Sequence, residues 1–153
     1  MKKFELTSET KINIFGKKLF RIKALVSFGV VKTGETGGWV EKEENVNQSG
    51  DAWVFGNAEV FGNARVSGNA RVSGNAEVFG NADYTTIHGF GTQFRTTTFF
   101  RCKDKQVKVS CGCFYGTIPE FREQVKNTRD GKIAEEYLMI ADLMEKHFAE
   151  EAK

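Results

Sequence analysis

Five copies of a six-residue word follow one another without a break in residues 54–83. They read VFGNAE, VFGNAR, VSGNAR, VSGNAE and VFGNAD, so each has the form Val-x-Gly-Asn-Ala-x with a charged residue in the sixth place. A fixed short period indicates that each copy stacks on other copies of itself and does not close a sheet alone. The repeat therefore constrains the middle of the chain more strongly than any other feature.

The spacing inside the word predicts which residues face inward. Val and Ala lie four places apart, so strand alternation points both to the same side, which we expect to be the interior. The Gly-Asn pair suits a corner, because glycine adopts backbone angles that other residues avoid and asparagine tolerates the left-handed region. A flexible Gly/Asn-rich linker is disfavoured, because linkers do not keep Val and Ala in phase.

Over residues 54–83 the sequence resembles the hexapeptide-repeat proteins, and the match continues more weakly through residues 48–53 (QSGDAW), where Asp51 replaces Asn. The order RIKAL, GGWVEKEENV, QSGDAWV and then the words is similar to the start of the YdcK-type hexapeptide-repeat proteins of bacteria and their phages. The resemblance implies a short left-handed parallel β-helix with an N-terminal strand cap. We expect a mainly β fold divided into a strand cap (1–47), a repeat β-helix (48–89) and a C-terminal α+β module (90–153).

If three words complete one turn, residues eighteen apart lie one above the other. This rule stacks Phe61 on Phe79 and Glu59 on Glu77, while Phe55 lies on a neighbouring outer face. An outward Phe ladder is typical of an interface, and stacked glutamates repel each other unless a partner's Arg or Lys lies opposite. We therefore expect a homo-oligomer, a trimer or a multiple of three, with these five residues in its interface. The alternative is that the C-terminal segment covers Phe61 and Phe79 within one chain.

Residues 93–102 and 106–114 are predicted to form a β-hairpin around Asp104-Lys105. With Lys103 opposite Gln106, alternation places one set of side chains on an apolar face: Phe94, Phe100, Cys102, Val107, Val109, Cys111 and Cys113. The other face is predicted to be cationic, hydroxyl-rich and aromatic, with Arg95, Thr97, Phe99, Arg101, Lys108 and Ser110. Such a face can neutralise phosphates and stack on a base, so it is the candidate site for a small nucleotide-like anion. An ordinary solvated strand face and a seam between subunits are the alternatives.

Two helices are predicted to complete the module. Thr117-Ile118-Pro119-Glu120 has the pattern of a capped helix start, with Pro tolerated early and Glu completing a capping box. A short helix is expected to about Asn127. A longer helix over residues 132–149 carries an apolar stripe formed by Ile133, Tyr137, Ile140, Ala141, Met144 and Phe148.

The sequence offers little support for catalysis. Acyltransferases of the hexapeptide-repeat type use a base, typically histidine, on a repeat at a subunit boundary, and none of the words contains histidine. His88 follows the repeats and His147 lies on the last predicted helix. Cys102, Cys111 and Cys113 could make most of a zinc site with His88, but alternation places all three cysteines inside. We expect no catalytic residue, no metal and no cofactor.

Composition limits the partners and the compartment. The net charge of the 153 residues is +2, which does not favour long nucleic acid or an acidic membrane surface. The N-terminus lacks the apolar run of a signal peptide, and no stretch approaches transmembrane length. Three cysteines fit a reducing compartment better than a disulfide framework. We expect a cytoplasmic protein.

These features together favour a non-catalytic, oligomeric binding protein. The repeat-containing start followed by RTTTFFRCKDKQVKVSCGCFYGTIPEF is similar in arrangement to small accessory proteins encoded by phages and prophages of Firmicutes. That resemblance implies an anti-defence role in the host cell cytoplasm, in which the protein sequesters a nucleotide-like signalling ligand. The alternative is a protein–protein inhibitor or oligomerisation scaffold that acts on a host macromolecule such as a defence protein.

Overall fold

The computed structural model describes residues 2–93, 95–112 and 114–149. Within these ranges the chain forms two helices, α1 (Ile118–Thr128) and α2 (Gly131–Phe148), together with two short 3-10 turns. The strands are β1 (Phe4–Ile12), β2 (Lys18–Ala24), β3 (Thr36–Val40), β4 (Trp53–Val54), β5 (Glu59–Val60), β6 (Arg71–Val72), β7 (Glu77–Val78), β8 (Tyr84–Phe90), β9 (Arg95–Arg101), β10 (Val107–Cys111) and β11 (Phe114–Thr117).

The strands form three sheets, and the predicted fold class of a left-handed β-helix with a cap and a module is wrong. The orders are β1-β2-β3-β5-β7, β11-β10-β9-β8 and β4-β6. Each repeat contributes at most a two-residue strand, and β5 and β7 simply extend a sheet that begins with the antiparallel pair β1 and β2. The repeat that begins at Val66 contributes only an isolated parallel bridge, between Val46 and Val66. The strand-rich character of the chain nevertheless agrees with the prediction.

In the first four repeats the local predictions are confirmed, whereas in the fifth Ala82 is exposed and Gly80 has an extended φ of −153°. The repeat Val side chains and the Ala side chains of residues 58, 64, 70 and 76 are buried. Residues eighteen apart pair in parallel, Trp53 with Arg71 and Glu59 with Glu77. Gly56, Gly62 and their successors at 68 and 74 have φ between 61° and 66°, so the corner requires glycine.

The N-terminal strands extend the repeat sheet. β1 and β2 form one hairpin whose turn is closed by the Gly16 amide donating to the Asn13 carbonyl at 3.0 Å. β3 then pairs with β2 on one side and with β5 on the other. At the other end of the repeats, β8 spans the expected boundary between residues 89 and 90. Strand pairing therefore continues across both expected boundaries.

The four-stranded sheet lies between the repeats and the helices. The Cys102 amide donates to the Gln106 carbonyl and Val107 pairs with Arg101, so the register differs by one residue from the predicted one. Phe99 points to the helices and Phe100 points to the repeat core, and both are fully buried. The predicted apolar face is therefore wrong, because both faces of the sheet are covered. Phe94 and Cys113 lie outside the described residues.

The helices follow their predicted signals. The Glu120 amide donates to Oγ1 of Thr117 at 3.3 Å, and Oε1 of Glu120 accepts from the Thr117 amide at 2.8 Å, which confirms the capping box. The inner face of α2 buries Tyr137, Ile140, Ala141, Met144 and Phe148. Neither helix of the described chain has the length and apolar character needed to span a membrane.

Candidate functional site

The register divides the predicted ligand-binding residues between two faces. Arg95, Thr97, Phe99 and Arg101 alternate toward the helix side of β9, whereas Lys108 and Ser110 pair with Phe100 and Thr98 and share the repeat side. A one-residue slip moves the whole of one strand to the opposite face. The single cationic and aromatic face predicted from the sequence is therefore not formed.

Two of these residues are part of the core beneath the helices. The Phe99 ring is fully buried and meets the Phe121 ring edge-on, with centroids 6.1 Å apart. The Thr97 hydroxyl is buried and donates to Sγ of Cys111 at 3.1 Å. A solvent-borne ligand cannot reach either side chain, so the prediction that they contact one directly is wrong.

Arg101 and Lys108 make contacts within the chain on opposite sides of the sheet. Nε of Arg101 lies 3.2 Å from Oδ1 of Asp83, and its guanidinium lies 5.2 Å from the centroid of the Phe148 ring. Nζ of Lys108 lies 5.8 Å from the centroid of the Tyr115 ring. These contacts place the two cations apart, and neither lines the larger groove described next.

Arg95 and Ser110 do line a common cavity, which we call the repeat-side groove. It has a volume of about 560 Å³ and lies between the repeats, the segment around Gly29 and the repeat face of the four-stranded sheet. Its lining includes charged, aromatic and hydrogen-bonding side chains, among them Asp51, Phe55, Arg71, His88, Arg95 and Ser110. This volume lies within the range of typical small-molecule sites.

Arg71 and Arg95 give the groove its positive charge. Among the described residues, neither guanidinium has a carboxylate within 4 Å. The Arg71 amide donates to Oγ1 of Thr98 at 3.1 Å, which fixes β6 against β9. The Arg95 guanidinium lies directly over Gly112, where a Cβ would overlap Nη1. Gly112 therefore lets Arg95 cross the end of the sheet and reach the groove, although alternation points its Cβ to the helix side.

The remaining lining groups include an imidazole, an aromatic ring, hydroxyls and one carboxylate. Nδ1 of the exposed His88 lies 2.9 Å from Oγ1 of Thr96 and shares a hydrogen bond with it. Phe55 is half-buried against the repeat core and supplies an aromatic wall. Asp51 is exposed beside Gly29 and provides an acceptor. Two cations, a ring, hydroxyls and one carboxylate match the donors and acceptors of a phosphorylated, ring-containing molecule.

Four residues of the groove were missed by the sequence analysis as ligand-binding groups: Asp51, Phe55, Arg71 and His88. Phe55 was predicted to lie in the oligomer interface. The repeat rule correctly places Arg71 beside Trp53. It carries no information, however, about which other part of the chain faces that side. The groove forms because the four-stranded sheet docks there, and the sequence pattern contains no signal for this docking.

A second cavity, which we call the helix-side pocket, opens on the other face of the sheet. It has a volume of about 200 Å³, and its lining includes Arg95, Cys111, Phe121, Arg129 and Tyr137. Burial raises the pKa of Tyr137, whereas the positive charges of Arg129 and Arg95 act to lower it. Gln93 and Arg95 line both cavities.

The two cysteines that the structure describes, Cys102 and Cys111, lie on opposite sides of the sheet. Cys102 is buried in the repeat core, where burial raises the pKa of its thiol to about 12. Cys111 lies on the helix side. Within the described ranges, no three His, Cys, Asp or Glu side chains come together as a metal site.

Most of the predicted oligomer interface is covered by the chain itself. Phe61 is 4% exposed in a cluster with Leu19 and Trp39, and its ring lies 5.8 Å from those of Phe79 and Phe15. The Phe61–Phe79 stack is therefore confirmed, but Phe61 is not available to a partner. The alternative, that the C-terminal segment covers it, is also wrong, because the β1–β2 hairpin provides the cover.

The charge of the glutamate ladder, formed by Glu59 and Glu77 on neighbouring strands, is likewise offset within the chain. Oε2 of the buried Glu59 lies 2.9 Å from Nζ of Lys11 and 2.8 Å from Nζ of Lys103. Burial and the neighbouring Glu59 raise the pKa of Glu77, and among the described residues its Oε2 has no hydrogen-bond partner. The cations that offset the ladder come from this chain, so Glu59 does not need a second subunit. Phe55 lines the repeat-side groove.

Comparisons with known proteins assign no family. No protein-family model matches the sequence, and no curated protein matches it significantly.

Proposed function

We propose that the protein binds a small anionic, nucleotide-like ligand in the repeat-side groove and does not transform it. The observation that carries this proposal is the pair of arginines, Arg71 and Arg95, that face one cavity with no carboxylate within 4 Å in the described chain. Arginines free of a carboxylate partner retain their full capacity for bidentate contacts to phosphate.

The remaining groups suit the other parts of a nucleotide. Phe55 provides an apolar surface for a base, and Ser110 and His88 provide hydrogen bonds. Asp51 accepts a hydrogen bond from a ribose hydroxyl or an exocyclic amine. The net charge of +2 favours a compact ligand over a long nucleic acid, because it gives little attraction along an extended phosphate backbone.

Binding without turnover corresponds to sequestration. We place this activity in the cytoplasm, which suits free thiols such as Cys102 and Cys111. The resemblance to phage-encoded accessory proteins suggests that the sequestered molecule is a host signal, so that removing it blunts a defence response. This part of the proposal rests on the sequence resemblance, whereas the binding site rests on the groove.

Isothermal titration calorimetry with adenosine and guanosine monophosphates tests the site. Arg71→Gln and Arg95→Gln should each weaken binding roughly 10-fold or more, because a charge-assisted contact contributes about 1.5–3 kcal/mol. Lys146→Gln is the matched control, since it removes one positive charge from an exposed position on α2. Absence of binding to the wild-type protein, or unchanged affinity in both arginine variants, would refute the proposed function.

A second candidate function is self-association through an apolar surface. Phe15 and Phe79 are 54% and 51% exposed, their ring centroids lie 6.3 Å apart, and the nearby Ile14 is 85% exposed. Contiguous exposed apolar area of this kind is typical of an interface. Light scattering should then detect an oligomer that Phe79→Asp dissociates. A wild-type protein that remains monomeric at about 100 μM, a concentration at which even weak interfaces associate, would exclude it.

A further inference from the structure

The outer face of α2 carries an exposed apolar patch. The inner face of this helix packs in the core beneath the four-stranded sheet, where Tyr137, Ala141 and Met144 are buried. On the opposite side of the helix, Met139 is 70% exposed and Leu143 is 55% exposed. The two residues lie four apart, so their side chains are neighbours on the helix surface. Large apolar side chains grouped in this way are typical of a contact surface.

Opposite charges flank the patch along the helix. Glu135 lies four residues before Met139, and Lys146 lies three residues after Leu143, so both fall on the same face as the patch. Both charged residues are exposed, and neither has an ion-pair partner within 4 Å in the described chain. The face is therefore acidic at its N-terminal end, apolar in the middle and basic at its C-terminal end.

The acidic residues nearest to Lys146 in sequence are paired within the chain. Asp142 lies four residues before Lys146, but its Oδ1 is 2.9 Å from Nη2 of Arg122 on α1. Oε2 of Glu145 lies 3.2 Å from Nη1 of the same arginine. These contacts hold α1 against α2 and direct both carboxylates to Arg122. The ammonium of Lys146 therefore remains open to a partner outside the chain.

The order of groups along this face is complementary to itself when it is reversed. In an antiparallel pair of α2 helices related by a two-fold axis, a residue before the axis meets the residue at the same distance after it. An axis at residue 141 places Met139 opposite Leu143 of the second copy. The midpoint of Glu135 and Lys146 lies half a residue away, about 0.75 Å along the helix, so the same axis also brings these charges together.

Other arrangements of the two helices bring like charges together. A parallel pair places Glu135 beside Glu135 and Lys146 beside Lys146. An antiparallel pair centred on Met139 places Lys146 opposite Lys132. Like charges in direct opposition destabilise a contact. Of these arrangements, the antiparallel pair centred near residue 141 is the one that matches both the apolar and the charged groups.

We infer that α2 forms a two-fold contact with α2 of a second copy of this chain, with Met139 and Leu143 at its centre and a pair of Glu135 and Lys146 at each end. One helix face buries a small area, so the dimer is weak and depends on concentration. The contact yields a dimer, whereas the repeat pattern predicts a trimer or a multiple of three. It leaves the repeat-side groove open, because the groove and the helices lie on opposite sides of the four-stranded sheet. Ligand binding and this contact are therefore independent, and the failure of one leaves the other in place.

Sedimentation velocity between about 10 and 500 μM, the range of weak protein contacts, tests this inference. The wild-type protein should show a monomer–dimer equilibrium, and Leu143→Asp should remain monomeric. Glu135→Lys and Lys146→Glu should each weaken association about 10-fold or more, because each places like charges opposite one another at both ends of the contact. The two substitutions combined in one chain should restore the affinity to within about 3-fold of wild type, because the exchanged charges again meet their opposites in the antiparallel pair.

Glu44→Lys is the matched control, because it makes the same change of charge at an exposed position in a 3-10 turn beside the repeats, and it should leave association unchanged. Circular dichroism spectra establish that each variant keeps its helices. A wild-type protein that stays monomeric, unchanged association in Leu143→Asp, or a double variant that associates no better than the single variants would overturn the α2 contact. Association that is lost in Phe79→Asp and kept in Leu143→Asp would also overturn it and would assign the contact to the surface around Phe15 and Phe79.

Discussion

The substitution Glu59→Gln keeps the shape of a buried side chain and removes the charge that Lys11 and Lys103 share. Both lysine Nζ atoms lie within 2.9 Å of the same carboxylate oxygen, so two charge-assisted hydrogen bonds are weakened. Each such bond contributes about 1.5–3 kcal/mol. The lysine side chains are 32% and 42% exposed and regain water when the carboxylate is lost, so we expect a net loss of about 2 kcal/mol.

Glu77→Gln is the matched control, because Glu77 lies directly beside Glu59 on the neighbouring parallel strand. Burial and the charge of Glu59 raise the pKa of Glu77, so its ionised form is unfavourable in the native state. Neutralising it should leave stability unchanged or increase it by about 0.5 kcal/mol, as expected for relief of a like-charge cross-strand pair. The two substitutions therefore act in opposite directions although they change the same residue type in one ladder.

Thermal denaturation with parallel urea titrations measures both effects. At pH 7, Glu59→Gln should lower Tm by about 4–8 °C, the shift that corresponds to about 2 kcal/mol in a domain of this size. An unchanged Tm for Glu59→Gln, or an equal decrease for Glu77→Gln, would show that the ladder is not neutralised by lysines of the same chain.

The pH dependence gives an independent test. Burial acts to raise the pKa of Glu59, but hydrogen bonds from Lys103 and Lys11 lower it below its ordinary value of 4.5. The stabilisation is therefore complete above the ordinary pKa and is lost as the pH falls through the native pKa. The difference in unfolding free energy between wild type and Glu59→Gln should therefore disappear in acid. The advantage of Glu77→Gln should likewise appear only as the pH rises through the raised pKa of Glu77.

Three further predictions concern packing, capping and thiol reactivity. Phe61→Ala should cost about 3–5 kcal/mol of unfolding free energy, whereas the half-exposed Phe79→Ala should cost about 1 kcal/mol or less; equal losses in urea titrations would contradict the assigned burial. Thr117→Ala should cost about 1 kcal/mol by removing the N-cap of α1, and Thr117→Ser should restore most of it in thermal denaturation. Iodoacetamide at pH 8 should modify Cys111 before Cys102, because burial raises the pKa of Cys102 to about 12; peptide mapping that finds Cys102 modified first would refute this order.

The repeat word and the helix start could be predicted because each contains its own structural information. In the first four repeats Val and Ala four residues apart face inward, and the corner glycine adopts a positive φ that few other residues tolerate. The rule fails only in the fifth repeat, which leads into β8. The Thr117–Glu120 box is equally local, since its hydrogen bonds connect residues three apart. Predictions of this kind do not depend on distant parts of the chain.

The register of the β9–β10 hairpin could not be predicted from alternation. Alternation identifies the register only when one face of a strand contacts solvent and the other is buried. Phe99 and Phe100 are adjacent and both fully buried, so the hydrophobic pattern of β9 does not distinguish the two registers. The turn decides between them: Lys105 adopts a φ of 70° and its amide donates to the Cys102 carbonyl. A lysine at a left-handed position is uncommon, and no sequence rule places one there.

The cover over Phe61 is a long-range effect of the same kind. The repeat rule correctly stacks Phe61 on Phe79, but the ring that contacts both belongs to Phe15, 46 residues before Phe61 in the chain. Apolar residues at a hairpin tip indicate an interface without identifying its partner. The fold class failed for a related reason, because the N-terminal hairpin joins the repeat strands in one mixed sheet.

The burial of both faces of β9 also explains where the candidate site lies. In the middle of the strand, Phe99 is covered by helices and Phe100 by the repeats, so no ligand can reach that part of the sheet. Packing ends at the first residue, Arg95, where the absence of a Cβ at Gly112 lets the guanidinium cross the sheet. The repeat layer that covers Phe100 also provides one wall of the repeat-side groove, through Arg71 and Phe55, and the end of the four-stranded sheet provides Arg95. The candidate site therefore lies where the packing of β9 against the repeats ends.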